Sequence, residues 1–188
     1  MNLRHAALIA VLAVAGALTF SGDAAATDGL SISSPAFSNG GQMPPRFAHT
    51  HDNISPPLAI SGVPAAAKSL ALIMDDPDAP AGLFTHWVVW NISPDTTSIP
   101  EGGFPPAVAK SITGGIHLVP KEGRNNLGDA HYDGPAPPNG KHRYFFHLYG
   151  LDTVLSLPAG SNRAALEAAI KGHVVAKAEM YGTFATGQ

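Results

Sequence analysis

Titratable side chains stand at the ends of three apolar segments of the chain, and their types could support binding or catalysis. Asp76 and Asp78 follow the apolar residues 69–74, while His86 and His142 each precede a run of aromatic residues. If these segment ends meet in space, two imidazoles and a carboxylate share one cleft. Such a cleft could bind an anion through imidazole N–H groups, hold a metal ion, or provide the base of a hydrolase.

Residue types that are absent from these motifs make some of the three uses less favoured than others. The chain has no cysteine, no Gly-x-Ser-x-Gly motif and no serine beside the motifs, so a hydrolase would lack its nucleophile. A phosphate loop that ends in Gly-Lys-Ser or Gly-Lys-Thr is also absent. We therefore rank anion binding first, metal binding second and hydrolysis third. The sequence predicts no catalytic residue, no metal ligand and no cofactor.

The loop before His142 favours the anion. It runs over residues 134–140 and contains Gly134, Pro135, Pro137 and Pro138. Glycine allows close approach of the backbone, and the prolines make the loop stiff. A stiff loop that presents backbone N–H groups loses little entropy when a phosphate or carboxylate binds.

Three aspartates lie close together where the segment of residues 69–74 ends. We interpret Asp75 as a solvated turn residue that stops the strand. Asp76 and Asp78 are interpreted as functional, because Pro77 fixes the backbone between them.

Other histidines are interpreted as structural or superficial. His49 and His51 form a His-x-His pair with Asp52, and this spacing can bind a metal, but we favour a surface loop. His147 lies at the middle of a predicted strand and is interpreted as structural.

Apolar and aromatic runs between proline or glycine turns predict five strands, at residues 30–37, 69–74, 86–92, 143–151 and 174–181. One amphipathic helix is predicted over residues 162–171, with Ser161 as N-cap and Gly172 after its end. This content predicts a mainly β fold, either a β-sandwich or a largely antiparallel sheet with peripheral helices. The long loops near residues 96–115 and 120–140 are expected to be functional or disordered.

The N-terminal residues read as a secretory signal peptide. A basic start precedes the apolar residues 6–20, and Ala26 ends a small-residue cleavage pattern. We predict removal of residues 1–26, a single domain over residues 27–188, and a periplasmic or secreted protein. An uncleaved membrane anchor is disfavoured, because the apolar run is shorter than the ~18 residues of a membrane span.

Composition excludes other classes of partner. The net charge of −3 argues against nucleic acid and against a polybasic membrane contact, and no stable membrane insertion is expected. Without cysteine, an exported chain must be held together by its core alone.

Three motifs also carry a family resemblance, and they are Asp76-Pro77-Asp78-Ala79-Pro80, Thr85-His86-Trp87-Val88-Val89, and Gly134-Pro135-Ala136-Pro137-Pro138 with His142-Arg143-Tyr144. They resemble the signatures of the phosphatidylethanolamine-binding protein family, and within it the bacterial Raf-kinase-inhibitor-like branch. The resemblance covers nearly all of residues 27–188.

This resemblance implies an antiparallel β-sandwich with a few peripheral helices, one of them near residues 162–171. It implies a small surface pocket for phosphate-like or phosphoethanolamine-like groups, without enzymatic activity. The ligand-binding residues that it implies are Asp76, Asp78, His86, Gly134, Pro137, His142 and Tyr144. His86 and His142 are expected to donate hydrogen bonds to the ligand, while Tyr144 closes the pocket wall. Asp76 is expected to orient an imidazole or accept from an ammonium group, and Asp78 to brace the turn.

The chain departs from the family pattern at three places. The segment before His86 is short and lacks the tyrosine of eukaryotic members, so Phe84 is expected to replace that wall. Ala136 stands where bacterial relatives often carry cysteine, and residues 49–51 replace a Cys-Asp-Gly stretch. A predicted signal peptide argues against a cytoplasmic kinase partner.

The expected function is therefore an exported protein that binds a small anionic ligand. Two alternatives stay open. One is a protein-interaction module, such as a protease or kinase inhibitor, that acts through the long loops on an unknown partner. The other is a metal-dependent hydrolase that uses the cluster of histidines and aspartates.

Overall fold

Short apolar segments separated by tight turns form the strands of this protein. The structure is a computed structural model and describes residues 29–104, 111–113 and 116–187, so the predicted signal peptide lies outside them. The strands are β1 (Ser31–Ser33), β2 (Leu58–Ser61), β3 (Ser69–Asp76), β4 (Phe84–Ile92), β5 (Ser98–Ile99), β6 (Ser111–Thr113), β7 (Ile116–Leu118), β8 (Lys121–Gly123), β9 (Lys141–Leu151) and β10 (Val174–Ala185). The helices are a short 3-10 helix (Pro45–Phe47) and α1 (Arg163–Ile170).

The strands pair antiparallel in separate sheets. The large sheet has the order β10-β9-β3-β4-β8, a second sheet has the order β1-β2-β5, and β6 pairs with β7. These pairings confirm the predicted mainly β, antiparallel fold.

Both faces of the large sheet are covered. On one face Leu72 and Met74 of β3 pack with Ile60 of the second sheet in the main core. On the other face Ile73 packs with Leu166 of α1 in a smaller cluster. Because successive strand residues point to opposite faces, residues 70–74 of β3 are all apolar, and each large side chain buried there contributes about 1.5–3 kcal/mol.

The helix begins one residue later than predicted. Asn162 is the N-cap, since its side-chain oxygen accepts a hydrogen bond from Ala165 N at 3.0 Å. Ser161 Oγ instead donates to Pro158 O at 2.7 Å, so the prediction of Ser161 as N-cap was wrong. Gly172 follows the helix with φ +83°, as a residue after a helix end often does. No helix of the described residues has the length and apolar character needed to cross a membrane.

Asp75 is a buried strand residue, and its interpretation as a solvated turn residue was wrong. β3 continues through Asp75, which pairs with Thr85 on β4 and is 1% exposed. Thr85 Oγ1 donates to Asp75 Oδ1 at 2.8 Å, and Arg163 Nε donates to Oδ2 at 3.1 Å. His147 Nε2 also lies 3.8 Å from Oδ2. Asp75 therefore joins the sheet to the first turn of α1.

The two long loops contain regular structure. β5 and β6 lie within the first, although residues 105–110 and 114–115 are outside the described residues. β8 begins the second, and residues 124–140 then run without a further strand to β9. This second loop carries part of the candidate site.

Candidate functional site

Two rows of side chains on neighbouring strands end at the same edge of the main core. On β3 the row consists of the alternate residues Met74 and Asp76. On β9, which runs in the opposite direction, it consists of Phe146, Tyr144 and His142. Met74 lies opposite Phe146 in the antiparallel register. The core residues of both rows are buried, and the polar residues follow where the core ends. Period-two alternation thus brings Asp76, Tyr144 and His142 together.

His86 reaches the same place through an irregularity in β4. Met74 lies opposite Trp87 and Asp75 lies opposite Thr85, so His86 is left without a partner in the register. Such a bulge changes the direction of a side chain. The His86 ring lies 4.8 Å from the Phe84 ring and 5.2 Å from the Tyr144 ring, measured between centroids.

Asp76 orients His142. His142 Nδ1 lies 2.7 Å from Asp76 Oδ2, and both side chains are buried. A carboxylate accepts, so Nδ1 carries the proton and Nε2 is the nitrogen left for a ligand. Asp76 Oδ1 accepts from Asp78 N at 2.8 Å. With both oxygens engaged, Asp76 is placed for the first of its two predicted roles, the orientation of an imidazole.

Nε2 of His86 is an acceptor while the ring is neutral. His86 Nδ1 lies 2.8 Å from Asp133 O, and a carbonyl oxygen only accepts, so Nδ1 carries the proton. Burial lowers the pKa of His86 below its ordinary value of 6.5, against the smaller opposing effects of Asp133 and Asp76. The predicted donation from His86 to an anion therefore requires that the ring take up a proton.

Tyr144 brings an unpartnered hydroxyl to the site. The residue is 0% exposed, and its hydroxyl oxygen has no hydrogen-bond partner of acceptable geometry in the described structure. Its ring lies between the two imidazoles, 6.5 Å from the His142 ring. Burial raises the pKa of the Tyr144 phenol well above its usual value, and the negative charge of Asp76 adds to this effect. The group is a neutral hydrogen-bond donor.

Asp78 braces the turn after β3, which is the role predicted for it. Arg143 Nε and Nη2 donate to the two Asp78 oxygens at 2.8 and 2.7 Å, and Arg143 N donates to Oδ2 at 2.9 Å. This bidentate contact lowers the pKa of Asp78 from 3.8 to about 2. Asp78 therefore ties the turn that follows Asp76 to the residue that follows His142.

Gly134 and Pro137 shape the loop but do not line the cavity. A Cβ at Gly134 would overlap the Phe47 carbonyl oxygen, so glycine is required by the close packing of two backbones. Gly134 N donates to Asn53 Oδ1 at 2.7 Å and is not available to an anion. Pro137 is buried, and its carbonyl accepts from Thr186 Oγ1 at 3.1 Å.

Asp76, His86, His142 and Tyr144 line a cavity of about 410 Å³. Its lining residues are His49, Asp76, Ala79, Pro80, Ala81, Phe84, His86, Leu127, Asp133, Ala136, Pro138, His142 and Tyr144. Phe84 forms part of the wall, as the short preceding segment predicts. The polar groups are few and converge in an otherwise apolar wall, which is typical of a small-molecule site.

A larger depression of about 620 Å³ lies on the other side of His142. Its charged residues include Asp78 and Arg143, which neutralise each other in the ion pair described above. It has no buried polar atom without a partner among the described residues, and we therefore place the candidate site in the smaller cavity.

A sequence model described as phosphatidylethanolamine-binding protein matches residues 33–185. The chain belongs to this family. A UPF0098 protein of Methanothermobacter thermautotrophicus is 44% identical over 158 residues, which are 84% of this chain and 100% of that protein. A UPF0098 protein of Chlamydia muridarum is 40% identical over 160 residues, with 82% and 98% of the two chains covered.

Solved structures agree with the family assignment. A crystal structure described as a phosphatidylethanolamine-binding protein homolog, CT736 of Chlamydia trachomatis, is 38% identical with a TM-score of 0.73 and covers 84% of this chain and 98% of its own. E. coli YbcL, described as a member of the mammalian PEBP family, is 27% identical with a TM-score of 0.72 and covers 83% and 98%.

Within this phosphatidylethanolamine-binding protein fold, two cavity residues escaped the sequence interpretation. His49 lies in an exposed loop, as interpreted, but it also lines the cavity, and its Nδ1 lies 2.6 Å from Asp133 Oδ1. Asp133 is buried and also accepts from Asn53 Nδ2 at 3.3 Å. A signal existed in the departure of residues 49–51 from the family pattern. His49 N also donates to Pro135 O at 3.1 Å, so this segment is tied to the loop that carries Ala136.

His51, the second histidine of the His-x-His pair, lies outside the cavity. Its Nδ1 lies 3.2 Å from Thr50 Oγ1. Across the described side chains, no three histidine, aspartate or glutamate residues are arranged to hold a metal ion. In this member of the phosphatidylethanolamine-binding protein family, the cavity instead contains two histidine–aspartate pairs, His142 with Asp76 and His49 with Asp133, and each pair engages only one imidazole nitrogen.

Proposed function

We propose that this protein is exported and binds a small ligand with a phosphate-like head group, without covalent chemistry. The observation that carries the proposal is the buried Tyr144 hydroxyl, which lies between His86 and His142 and makes no hydrogen bond of good geometry, although the Ala136 backbone and the Asp76 carboxylate are near enough to affect its pKa. An unsatisfied buried hydroxyl costs about 1–3 kcal/mol, and a ligand oxygen would remove that cost. His142 Nε2 then supplies a second contact to the same head group. Because Nδ1 already donates to Asp76, Nε2 accepts from a P–OH group when the ring is neutral and donates only when both ring nitrogens carry a proton.

Proton uptake by His86 completes the anion site. Neutral His86 offers an acceptor, which suits a P–OH group of a singly protonated phosphate. A fully ionised phosphate favours the protonated ring instead, because a donor is then required. Either way, binding is linked to one proton shared between ligand and imidazole. The lining of the cavity further supports a binding role. Among the described residues that line it, only Tyr144 carries a hydroxyl, and the raised pKa of that phenol keeps it a neutral hydrogen-bond donor.

The apolar wall of the cavity indicates what kind of substituent the head group carries. Phe84 and Leu127 border the cavity, and Leu127 is 55% exposed at its rim. A head group with a short organic substituent fits this combination better than a bare inorganic ion. The names of the relatives direct attention to phosphoethanolamine as a first candidate.

Calorimetric titration with inorganic phosphate and with O-phosphoethanolamine tests the binding proposal. Wild-type protein should bind, and His142→Ala should bind neither compound measurably while remaining folded. His173→Ala is the matched control, because its ring pairs with Asp152 at 2.8 Å on the surface and does not line the cavity. Unchanged affinity in His142→Ala would remove the assignment.

Export is tested separately. Cell fractionation of the protein expressed from its full coding sequence should place it outside the cytoplasm. The mature N-terminus should lie near residue 27. A cytoplasmic protein that retains Met1 would overturn the export proposal and leave the binding proposal standing.

A further inference from the structure

A second cavity, of about 390 Å³, lies beside Trp87 and Tyr132 and shares no lining residue with the first. Ser55 borders it and is 3% exposed, yet its hydroxyl oxygen has no hydrogen-bond partner in the described structure. Buried hydroxyl groups normally have a partner, so this atom indicates a missing ligand group.

The Glu122 carboxylate contacts the Trp87 indole beside this cavity. Trp87 Nε1 donates to Glu122 Oε1 at 2.8 Å. Glu122 is half-buried and forms no ion pair with any residue that the structure describes. A partly buried carboxylate without a cation is electrostatically incomplete, because its desolvation is not offset.

Gly103 keeps the space between these two groups open. It has φ +90°, and a Cβ at this position would lie 3.7 Å from Ser55 Oγ and 3.9 Å from Trp87 Cζ2. Cζ2 and Nε1 lie on the same edge of the indole, so Ser55 and Glu122 face the same space. Any larger side chain at residue 103 would enter it.

The charge of the lining selects the ligand. Glu122 and Asp52 carry negative charge, while no lysine or arginine lines the cavity. A primary ammonium group has donors for a carboxylate and for a hydroxyl oxygen at once. We propose that this second cavity binds a small organic primary ammonium ion, held by the free oxygen of Glu122 and by Ser55 Oγ.

The two tryptophans of the chain provide the test. Trp87 Nε1–H contacts Glu122, whereas Trp90 Nε1–H points to Leu157 O at 3.4 Å, so one indole signal reports on the site and the other is an internal control. Titration of ¹⁵N-labelled protein with ethylammonium chloride should shift the Trp87 indole signal to saturation and leave the Trp90 signal in place. Tetramethylammonium chloride, which has no N–H group, should bind at least about ten-fold more weakly.

Three variants complete the experiment. Glu122→Gln keeps an acceptor for Trp87 and removes the charge, so ethylammonium affinity should fall about ten-fold or more. Ser55→Ala should lower affinity about five-fold and raise the melting temperature, since it removes an unsatisfied group. Glu167→Gln makes the same charge change on α1 and should leave affinity unchanged.

Two results would overturn the proposal. One is a folded protein whose Trp87 signal does not move with ethylammonium. The other is an equal shift in Glu122→Gln, or equal binding of tetramethylammonium, because either would show that the carboxylate and the N–H donors are not involved.

Discussion

Asp76 and His142 lie 66 residues apart in the sequence, and their side chains meet at 2.7 Å. Neither residue forms another ion pair with any residue that the structure describes, and each stands where an apolar row of the main core ends. The pair therefore marks the transition from core to cavity. Its geometry leads to predictions that separate binding from stability.

Tyr144→Phe should weaken ligand binding without destabilising the protein. The hydroxyl has no partner in the free protein, so its removal should leave the free energy of unfolding unchanged or raise it by about 1 kcal/mol. Phosphoethanolamine affinity should fall about five-fold, as expected for one lost hydrogen bond. Denaturant unfolding and calorimetry measure the two effects.

The matched control is Tyr132→Phe. Its hydroxyl donates to Phe47 O at 2.8 Å and is buried, so this variant should be less stable by about 1 kcal/mol or more. If Tyr144→Phe loses as much stability as Tyr132→Phe, the Tyr144 hydroxyl is already satisfied in the free protein.

Acid should destabilise the protein through His86. Its pKa in the folded protein is lowered below 6.5 by burial, so below pH 6.5 the unfolded chain binds a proton that the folded protein does not. The contribution to the free energy of unfolding is complete above pH 6.5 and decreases as the pH falls through the folded-state pKa. Urea unfolding at several pH values, compared between wild type and His86→Gln, isolates this contribution. Parallel pH profiles for the two proteins would contradict it.

His49→Ala should lower phosphate affinity about five-fold. Asp133 holds Nδ1 of His49, so the other ring nitrogen is free for the ligand, and one hydrogen bond is lost in the variant. His51→Ala serves as control because His51 lies outside the cavity, and its affinity should equal that of wild type. Equal affinities for all three proteins would confine the site to the other cavity residues.

Arg163→Met should destabilise the fold and leave the cavity intact. It removes the cation next to Asp75, a carboxylate that is 1% exposed. A loss of about 2 kcal/mol is expected, below the 3–5 kcal/mol of a fully buried pair because Arg163 is itself 28% exposed. Glu167→Gln removes only the exposed helical pair and should cost about 0.3–0.5 kcal/mol. Lost phosphate affinity in Arg163→Met would contradict this separation.

Strands that carry long apolar runs could be predicted from the sequence. The predicted residues 69–74 are the first six residues of β3 and the predicted residues 86–92 are the last seven of β4, where burial on both faces gives a continuous apolar pattern. The start of β3 and the end of β4 were predicted to the residue, but the ends that flank the turn between them were not, because Asp75 looks like a turn residue until Thr85 and Arg163 are known to contact it.

The site was predictable where chemistry and strand ends coincide. Asp76, His86, His142 and Tyr144 all line the cavity, and the alternation along β3 and β9 explains three of them. The bulge that directs His86 depends on register, which a single strand sequence does not encode. The contact between His49 and Asp133 spans 84 residues and two loops, so local pattern could not reveal it.

His86 Nδ1 donates a hydrogen bond to Asp133 O, and His142 Nδ1 donates one to Asp76. Both imidazole rings are therefore oriented before any ligand binds. Freezing a mobile side chain during association costs about 0.5–1.5 kcal/mol, and here that cost falls on folding instead. The cavity thus has two of its imidazole rings oriented in advance. Under the proposed function, we therefore expect ligand binding to lose little side-chain entropy at these two rings.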